Sequence, residues 1–170
     1  MLQSCAVPAP RPRYLDAPGQ RLVVDYVDGA VDAAPAGDAE FLGPLTTVLA
    51  EIHQVAIADL SFLPERTLTD VPARRRNPPV LLHGDFWPGN VLWQDGRLVA
   101  VLDWEDAAIG DPLADVANAR LELLWARGAE AKDEFTRRYR SLAPGVDVTD
   151  LPHWDRWAGL RLAAFEPAKR

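Results

Sequence analysis

The chain has 170 residues, of which 48% are hydrophobic and 25% charged, and this composition fits one globular domain and excludes wholesale disorder. Its net charge of −7 argues against a nucleic-acid binder held by phosphate contacts, and no apolar run approaches the length of a membrane span. The single cysteine, Cys5, excludes an internal disulfide framework. With no hydrophobic leader in the first residues, the sequence predicts a soluble, cytoplasmic protein.

The N-terminal half contains two predicted elements between irregular stretches. Residues 6–19 are rich in proline and glycine and predict irregular structure. The stretch "RLVVDYV" (21–27) has the β-branched and aromatic content of a short strand. From Pro44 onward, apolar residues at helical spacing predict an amphipathic helix with this proline in its first turn. Residues 58–79 carry four prolines and predict a long connection.

The second half begins with a strand and a hairpin and then becomes helical. "VLL" (80–82) predicts a short buried strand, and "NVLWQDGRLVAVLDW" (90–104) predicts two strands around an Asp95-Gly96 turn. Asp111-Pro112 predicts the start of a helix that ends near Gly128. Two further helical stretches follow, near 130–141 and 151–164. The order of elements indicates the α+β class.

The register of the predicted hairpin brings polar residues together. With Asp95 and Gly96 at the turn, Asn90 lies opposite Val101, and Asp103 lies on the same face, with about 7–8 Å between the diagonal Cα atoms. The other face is apolar throughout, as a face turned to the core should be; it carries Val91, Trp93, Leu98, Ala100 and Leu102. The amide and the carboxylate therefore meet beside the loop that bears His83 and Asp85.

This set of side chains fits phosphoryl transfer. Oxygen donors from Asn90 and Asp103 suit Mg²⁺, which completes its shell with water and phosphate oxygens. Asp85 stands apart from the metal and is available to accept a proton from a hydroxyl. A metal-dependent hydrolase that uses His83, Asp85 and Asp103 is an alternative, although His53 and His153 show no ligand spacing with them. His53, near the end of the predicted helix, fits an ordinary partly buried or capping histidine.

Two motifs carry a resemblance to a known family. "HGDFWPGN" (83–90) has the H-x-D-x-x-x-x-N form of a kinase catalytic loop, with glycine in place of the arginine usual in protein kinases. Together with "VLDWEDAAIGDPLADVA" (101–117), it resembles the aminoglycoside phosphotransferase family, which includes choline, homoserine and macrolide kinase-like members. The resemblance implies a protein kinase-like fold of the α+β class, here mainly the helical C-terminal lobe with the catalytic-loop hairpin.

The resemblance also implies roles for individual residues. Asp85 is the catalytic base, His83 holds the backbone around it, and Asn90 and Asp103 are the ligands of Mg²⁺. "VVDYVDG" (23–29) corresponds to the hinge, where Val24, Asp25, Tyr26 and Val27 would receive the base of ATP or GTP. Asp111 and Asp115 match later aspartates of the family, and their positions also fit a helix cap and a polar anchor one turn on.

The chain departs from the family before the hinge. Its two lysines, Lys132 and Lys169, both follow the catalytic loop, and there is no glycine-rich turn for the phosphates. On this basis residues 1–29 are interpreted as a remnant of the N-terminal lobe with the hinge, and residues 30–170 as the helical C-terminal lobe.

Two functional hypotheses stay open. In one, the chain is a kinase for a hydroxyl of a small molecule and needs a missing N-terminal lobe segment as its partner; in the other, it is a non-catalytic remnant or binding module. The acidic Glu105 and Asp106 fit either a pocket for a cationic acceptor or a solvated surface.

Overall fold

A computed structural model describes residues 7–16, 21–32, 34–66 and 77–164. Within these ranges the chain has four α-helices and three two-stranded antiparallel sheets, in agreement with the predicted α+β class. Cys5 and the arginine-rich stretch 74–76 lie outside the described residues. No helix in the described ranges is both long enough and apolar enough to cross a lipid bilayer.

The elements follow one another with short connections through most of the second half of the chain. In chain order they are β1 (Pro12–Asp16), β2 (Arg21–Val24), α1 (Asp38–His53), β3 (Val80–Leu82), β4 (Val91–Gln94), β5 (Arg97–Val101), β6 (Ala108–Gly110), α2 (Leu113–Arg127), α3 (Ala129–Leu142) and α4 (Leu151–Ala164). A single 3₁₀ turn, Pro88–Asn90, leads into β4. The predicted hairpin and last three helices are confirmed, while the strand predicted over 21–27 ends at Val24.

Helix α1 begins six residues before its predicted start. It opens at Asp38, and Pro44 lies inside it and not in its first turn. The earlier turns form because Phe41 and Leu42 are 2% and 0% exposed and contribute to the core, while Asp38 and Glu40 place negative charge at the positive end of the helix dipole. The helix packs against α3 and β3, and α2 packs against α3 and α4, so these helices enclose one core.

The N-terminal region forms a hairpin where irregular structure was predicted. Strand β1 pairs antiparallel with β2, with Leu15 opposite Leu22 and Asp16 opposite Arg21. Proline is tolerated because Pro12 stands at the first position of β1, where a missing N–H disturbs the ladder least. The prediction of irregular structure over residues 6–19 is therefore wrong for residues 12–16, where pairing with β2 outweighs the proline content, while residues 7–11 are irregular as predicted.

The central hairpin contains a bulge that changes the predicted register. Asp95 and Gly96 have positive φ angles of 49° and 73°, as a tight two-residue hairpin turn requires. Trp93 pairs with Leu98, but Leu92 already pairs with Ala100, so Val99 is the extra residue of a β-bulge.

The predicted pairing of Asn90 with Val101 is therefore wrong. Val91 lies opposite Val101, and the backbone N–H of Leu102 donates to the carbonyl of Asn90 at 2.8 Å. The bulge also reverses which residues after it face the core. Val101 is fully buried and Leu102 is only partly buried, whereas Leu102 was predicted on the core face. The predicted diagonal placement of Asp103 relative to Asn90 depended on a register without a bulge, so it is wrong as well.

The small sheet of β3 and β6 brings the two polar segments side by side. Leu82, the last residue of β3, lies opposite Ala108, the first residue of β6. The loop that follows β3 and the segment that precedes β6 consequently leave the sheet at the same edge. This edge positions residues 83–90 beside residues 103–107.

Candidate active site

A buried carboxylate of helix α2 holds the loop that follows β3. Asp115, in the first turn of α2, is 1% exposed and accepts the backbone N–H groups of His83 at 2.7 Å and of Gly84 at 2.9 Å. Gly84 has φ +88°, and a Cβ at this position would lie 2.0 Å from the carbonyl oxygen of Asp106. The loop therefore turns sharply against the segment before β6, and the hydrogen bonds of Asp115 agree with its interpretation as a polar anchor.

The side chain of His83 joins residues 83–90, the base loop (named for the role predicted for Asp85), to Leu102, which follows β5. Its Nε2 lies 2.7 Å from the carbonyl oxygen of Leu102, and its Nδ1 lies 3.3 Å from the backbone nitrogen of Asp85. Because a carbonyl oxygen only accepts and a backbone N–H only donates, the neutral Nε2–H tautomer satisfies both contacts. The ring is fully buried and packs against Trp104, with 4.7 Å between the ring centroids.

Asp85 reaches the surface at the centre of this arrangement. Its side chain is 36% exposed and is surrounded by nitrogen donors at the outer limit of hydrogen bonding. Asn90 Nδ2 lies 3.4 Å from Oδ2, Asn118 Nδ2 lies 3.4 Å from Oδ1, and Arg161 Nη2 lies 3.3 Å from Oδ1. The carboxylate is thus oriented by its neighbours while part of it stays accessible to solvent.

Asn90, which contacts Asp85, and Asp103, which directly follows Leu102, both carry side-chain oxygen atoms. Asn90 is 8% exposed and uses its Nδ2 to donate to the carbonyl of Asp85 at 2.9 Å, which leaves its Oδ1 without a partner among the described residues. The carboxylate of Asp103 is likewise free of hydrogen bonds and ion pairs within the described ranges. Asp103 follows Leu102, whose backbone contacts both Asn90 and His83, so the hairpin brings Asp103 to the site by a different register from the predicted one.

The backbone of Asp103 is held in an unusual conformation. Its φ of +63° lies in the left-handed region, which aspartate visits more readily than most residues but which still stores strain. Strained residues concentrate at functional sites. Asn90 and Asp103 together offer the hard oxygen donors that Mg²⁺ prefers, and no cluster of three or more His, Cys, Asp or Glu residues that could hold a metal occurs in the described ranges.

Asp115 also belongs to a buried chain of polar side chains that includes His53 and Tyr139. His53, at the end of α1, lies with Nε2 3.3 Å from Asp115 Oδ2 and Nδ1 2.6 Å from the hydroxyl of Tyr139. Burial by itself would raise the pKa of Asp115, but the hydrogen bond and charge of His53 hold it below its ordinary value of 3.8. Burial, with the charge of Asp115 as a further cause, raises the pKa of Tyr139.

One face of α2 runs outward from Asp85. Asn118 donates to Asp85 and also, at 3.1 Å, to the carbonyl of Phe86, and Glu122 lies one turn further along the same face. Partial burial and the nearby charge of Asp85 raise the pKa of Glu122. On the other side of Asp85, Glu105 and Asp106 are exposed.

The predicted hinge residues lie between the N-terminal hairpin and β4. Val24 ends β2, and Asp25 donates its N–H to the carbonyl of Arg11 at 2.8 Å while its carboxylate pairs with Arg13. Tyr26 is 87% exposed. In the described part of the chain, the backbone groups of residues 26–28 have no hydrogen-bond partner, and Ala30 then pairs with Trp93 of β4 through bonds of 2.9 and 3.0 Å.

Three residues of the site were not predicted. Arg66, Asn118 and Arg161 contact the base loop from the segment before β3, from α2 and from α4. Asn118 was within reach of sequence reasoning, because it lies one turn after Asp115 on the predicted helix. Arg66 and Arg161 carry no local signal, since their positions depend on how distant segments fold back on the loop.

Solved structures share this fold. An aminoglycoside-3'-phosphotransferase of type VIII superposes with a TM-score of 0.72 at 17% identity, over 93% of this chain and 75% of that one. Amicoumacin kinase hAmiN, solved in complex with AMP-PNP, Ca²⁺ and Ami, superposes with a TM-score of 0.60 at 14% identity, over 95% of this chain and 67% of that one. The architecture is that of the protein kinase-like phosphotransferases, as the motif resemblance implied.

The family assignment rests on the sequence. The model of the phosphotransferase enzyme family (APH) matches residues 62–160, which is more than half of the chain, and the chain belongs to this family. Viomycin phosphotransferase from Streptomyces vinaceus is 34% identical over 127 residues, 72% of this chain and 41% of that protein. The chain thus spans less than half of the length of this curated relative.

Proposed function

We propose that the chain is the catalytic part of an ATP- or GTP-dependent kinase that phosphorylates a hydroxyl group of a small molecule. The observation that carries this proposal is the partly exposed carboxylate of Asp85, in contact with Asn90, whose Oδ1 has no partner among the described residues. Asp103 follows Leu102, whose backbone contacts both Asn90 and His83. In the proposed division of roles, Asp85 accepts the proton of the acceptor hydroxyl, His83 fixes the loop, and Asn90 and Asp103 hold Mg²⁺.

The contacts of Asp85 support its role as base. The three side-chain nitrogens around it lie 3.3–3.4 Å away, so they orient the carboxylate without the short, strong hydrogen bonds that would occupy its lone pairs. The solvent-facing side can therefore receive a hydroxyl. A base oriented in advance in this way lowers the barrier to transfer, because the acceptor need not reorganise it.

The donor set of Asn90 and Asp103 fits Mg²⁺. Bound there with nucleotide phosphates, the ion would supply neutralisation of the charge that develops on the transferring group. Asn90 is prepared for this role because its amide nitrogen is engaged by the carbonyl of Asp85, which directs its Oδ1 away from that contact. A metal-dependent hydrolase is less well supported, since no group of three or more His, Cys, Asp or Glu residues that could hold a metal occurs in the described ranges.

For the nucleotide base we propose the segment Val24, Asp25, Tyr26 and Val27. Its support is the run of backbone groups over residues 26–28 that have no partner in the described ranges, next to strands that hold both ends of the segment. Such groups can bind the polar edge of a purine. We divide the chain accordingly into residues 1–29, with the hinge, and residues 30–170, with the catalytic loop.

A cationic acceptor is the substrate class that the charges favour. Asp106 and Glu122 add two carboxylates near that of Asp85, and Arg161 contacts the carboxylates of Asp85 and Asp106. An amine on the acceptor would relieve the repulsion between Glu122 and Asp85. We place the reaction in the cytoplasm, where ATP is available.

The second candidate function is a non-catalytic binding module. It is favoured by the lysines, because both follow the catalytic loop in the sequence, whereas the lysine that binds the α- and β-phosphates in protein kinases lies on a strand before that loop. In the kinase proposal this lysine comes from a separate N-terminal lobe segment, and in the alternative it is absent. The two proposals differ in whether transfer appears when such a segment is supplied.

The deciding experiment measures phosphate transfer from ATP and from GTP, with Mg²⁺, to a panel of amine-bearing and neutral small-molecule alcohols. It is carried out with the chain alone and with the chain fused to the N-terminal lobe of a family member. Transfer in either format supports the kinase. Nucleotide binding with no transfer in both formats supports the binding module and overturns the kinase.

Matched variants test the division of roles in the active format. Asp85→Asn should reduce kcat at least 100-fold while the Kd for Mg²⁺–nucleotide changes less than twofold. Asp103→Ala should instead weaken Mg²⁺-dependent nucleotide binding about tenfold or more, with little effect on binding in EDTA. Asp95→Asn, at the exposed hairpin turn, is the control and should leave both quantities unchanged. Equal losses of nucleotide affinity in the first two variants would contradict the assignment.

A further inference from the structure

Two arginines from distant parts of the chain meet on one carbonyl group beside the base. Arg66 Nη1 donates to the backbone oxygen of Gly84 at 3.1 Å, and Arg161 Nη1 donates to the same oxygen at 2.9 Å. Arg66 precedes β3 by fourteen residues, and Arg161 lies near the end of α4. A carbonyl oxygen has two lone pairs, so both are engaged by guanidinium groups.

Both arginines also reach Asp106. Arg66 Nη2 donates to its backbone oxygen at 3.1 Å, and Arg161 Nη2 donates to its Oδ2 at 2.9 Å. The planar guanidinium group can hold two acceptors at fixed separation, which a lysine ammonium on its flexible stem cannot do. Each arginine therefore bridges the base loop to the segment that contains Asp103.

The peptide unit between Gly84 and Asp85 is held at both ends as a result. Its carbonyl oxygen lies between the two guanidinium groups, and its N–H points to Nδ1 of His83 at 3.3 Å. The preceding N–H, of Gly84, is bound by Asp115. Fixing this peptide plane fixes the direction in which the side chain of Asp85 leaves the backbone, and Arg161 also touches the carboxylate directly.

The two arginines are themselves held in place by contacts with other parts of the fold. The backbone of Arg66 is tied to β6 through its N–H, which donates to the carbonyl of Ile109 at 2.8 Å. The side chain of Arg161 is 17% exposed and its guanidinium lies 5.9 Å from the ring centroid of Trp157. The two positive charges lie near the carboxylates of Asp85 and Asp106. The negative charges of these carboxylates offset the repulsion between the two guanidinium groups.

We infer that Arg66 and Arg161 are positioning residues that set the distance and direction of Asp85 relative to the Asp103 segment. This inference rests on the proposed kinase function, and it assigns a role in the transfer step to α4, the last helix of the described residues. The arginines act through Gly84, Asp85 and Asp106. Their loss displaces the base relative to the Asp103 segment, and this displacement affects the transfer step more than the binding of the nucleotide, so it lowers kcat and largely spares nucleotide binding.

The kinetic test uses Arg66→Gln, Arg161→Gln and the double variant in the transfer-active format. Arg156→Gln is the matched control, because Arg156 is an exposed residue of the same helix. We expect kcat to fall about tenfold in each single variant, with the KM for nucleotide changed less than twofold, and no change in the control. The double variant should lose less than the product of the two single losses, because both residues hold the same peptide.

Two rescue measurements separate positioning from general damage to the fold. Arg161→Lys should recover only part of the loss, since one ammonium cannot replace the two-pronged contact. Added guanidinium ion, at concentrations below those that unfold the protein, should raise the kcat of Arg161→Ala and not that of Asp85→Asn. Unchanged kcat in both glutamine variants, or equal losses in Arg156→Gln, overturns the inference.

Hydrogen exchange tests the same inference without turnover. Arg161→Gln should accelerate amide exchange across residues 83–90 and leave α3 as protected as in the parent protein, whereas Arg156→Gln should leave both unchanged. If the parent protein transfers no phosphate in any format, the proposed function fails, and exchange alone decides the positioning role. Unaltered exchange across residues 83–90 in Arg161→Gln overturns it.

Discussion

His53 and Asp115 form a buried contact that joins the end of α1 to the start of α2, with 3.3 Å between Nε2 and Oδ2. The same Oδ2 atom accepts the N–H of His83. The base loop is therefore held by contacts that lead to two helices, in addition to the strands on either side of it. The hydroxyl of Tyr139 extends the connection to α3 through the other nitrogen of His53.

We expect Asp115→Asn to lower the free energy of unfolding by about 3 kcal/mol, because an amide offers one acceptor atom where the carboxylate offers two to buried donors. Urea denaturation at pH 7 measures the change. Asp133→Asn is the control, since Asp133 is 69% exposed and its pair with Lys132 lies on the surface; its effect should stay below about 0.5 kcal/mol. Equal stability of the two variants would contradict the buried role of Asp115.

The depressed pKa of Asp115 predicts how stability depends on acid. Since its folded pKa lies below the ordinary value of 3.8, its stabilising contribution is complete above that value and is lost as the pH falls through the folded pKa. The parent protein should therefore lose more stability than Asp115→Asn when the pH is lowered from about 5 to about 3. Urea midpoints measured across this range test the difference, and parallel curves for the two proteins would refute it.

Local signals in the sequence were sufficient for most elements and for the residues at the centre of the site. Asp95-Gly96 requires positive φ at two successive positions, and few structures other than a tight hairpin use that combination. The helix of Asp115 was marked by Asp111-Pro112, and the Oδ1 of Asp111 accepts the N–H of Leu113 at 3.0 Å. Such features depend on neighbours in the chain and can be recognised without knowledge of the fold.

The features that were missed depend on contacts between distant segments. Nothing in the pattern of β5 marks Val99 as a bulge, because any residue of an apolar strand can be the extra one when packing requires it. Strand β1 forms because β2 is there to pair with it, in spite of the proline at its start. The arginines on Gly84 come from segments before and after the base loop in the chain: Arg66 is placed by the backbone hydrogen bond of its N–H to Ile109 in β6, and Arg161 by the packing of α4 against α2.

The N-terminal hairpin presents an exposed apolar surface, and its contribution to stability can be tested directly. Leu15 and Leu22 are opposite each other and are 63% and 59% exposed. Replacing both with threonine keeps a residue that favours strands and should change the free energy of unfolding by less than about 0.5 kcal/mol per site. Binding of the dye ANS and concentration-dependent association should both decrease.

A buried leucine supplies the control for the hairpin experiment. Leu45→Thr in α1 replaces a fully buried side chain and should lower the free energy of unfolding by about 2–4 kcal/mol. If the double threonine variant of the hairpin were destabilised to a similar extent, the surface of β1 and β2 would have to be covered in solution. Size-exclusion chromatography at several concentrations would then show whether a second copy covers it.

Substitutions at Gly84 and Gly96 separate two effects. One is the close approach of the base loop to the Asp106 segment, and the other is backbone strain. Both have positive φ, +88° and +73°, but a Cβ at Gly84 would meet backbone atoms of Asp106 at 2.0 and 2.6 Å, whereas a Cβ at Gly96 meets nothing within 4 Å. Gly96→Ala should therefore show the cost of the left-handed conformation alone, about 1 kcal/mol. Gly84→Ala adds a clash that only movement of the loop can relieve.

We expect Gly84→Ala to reduce kcat at least 100-fold, because an overlap of this size displaces the Asp85 backbone from the Asp103 segment. Urea denaturation should show a loss of more than 2 kcal/mol, and peptide-resolved hydrogen exchange should rise over residues 83–90. Gly96→Ala should retain kcat within twofold, since its turn lies at the far end of the hairpin. Similar kinetics and stability in the two variants would mean that the loop and the Asp106 segment do not lie in contact in the working protein.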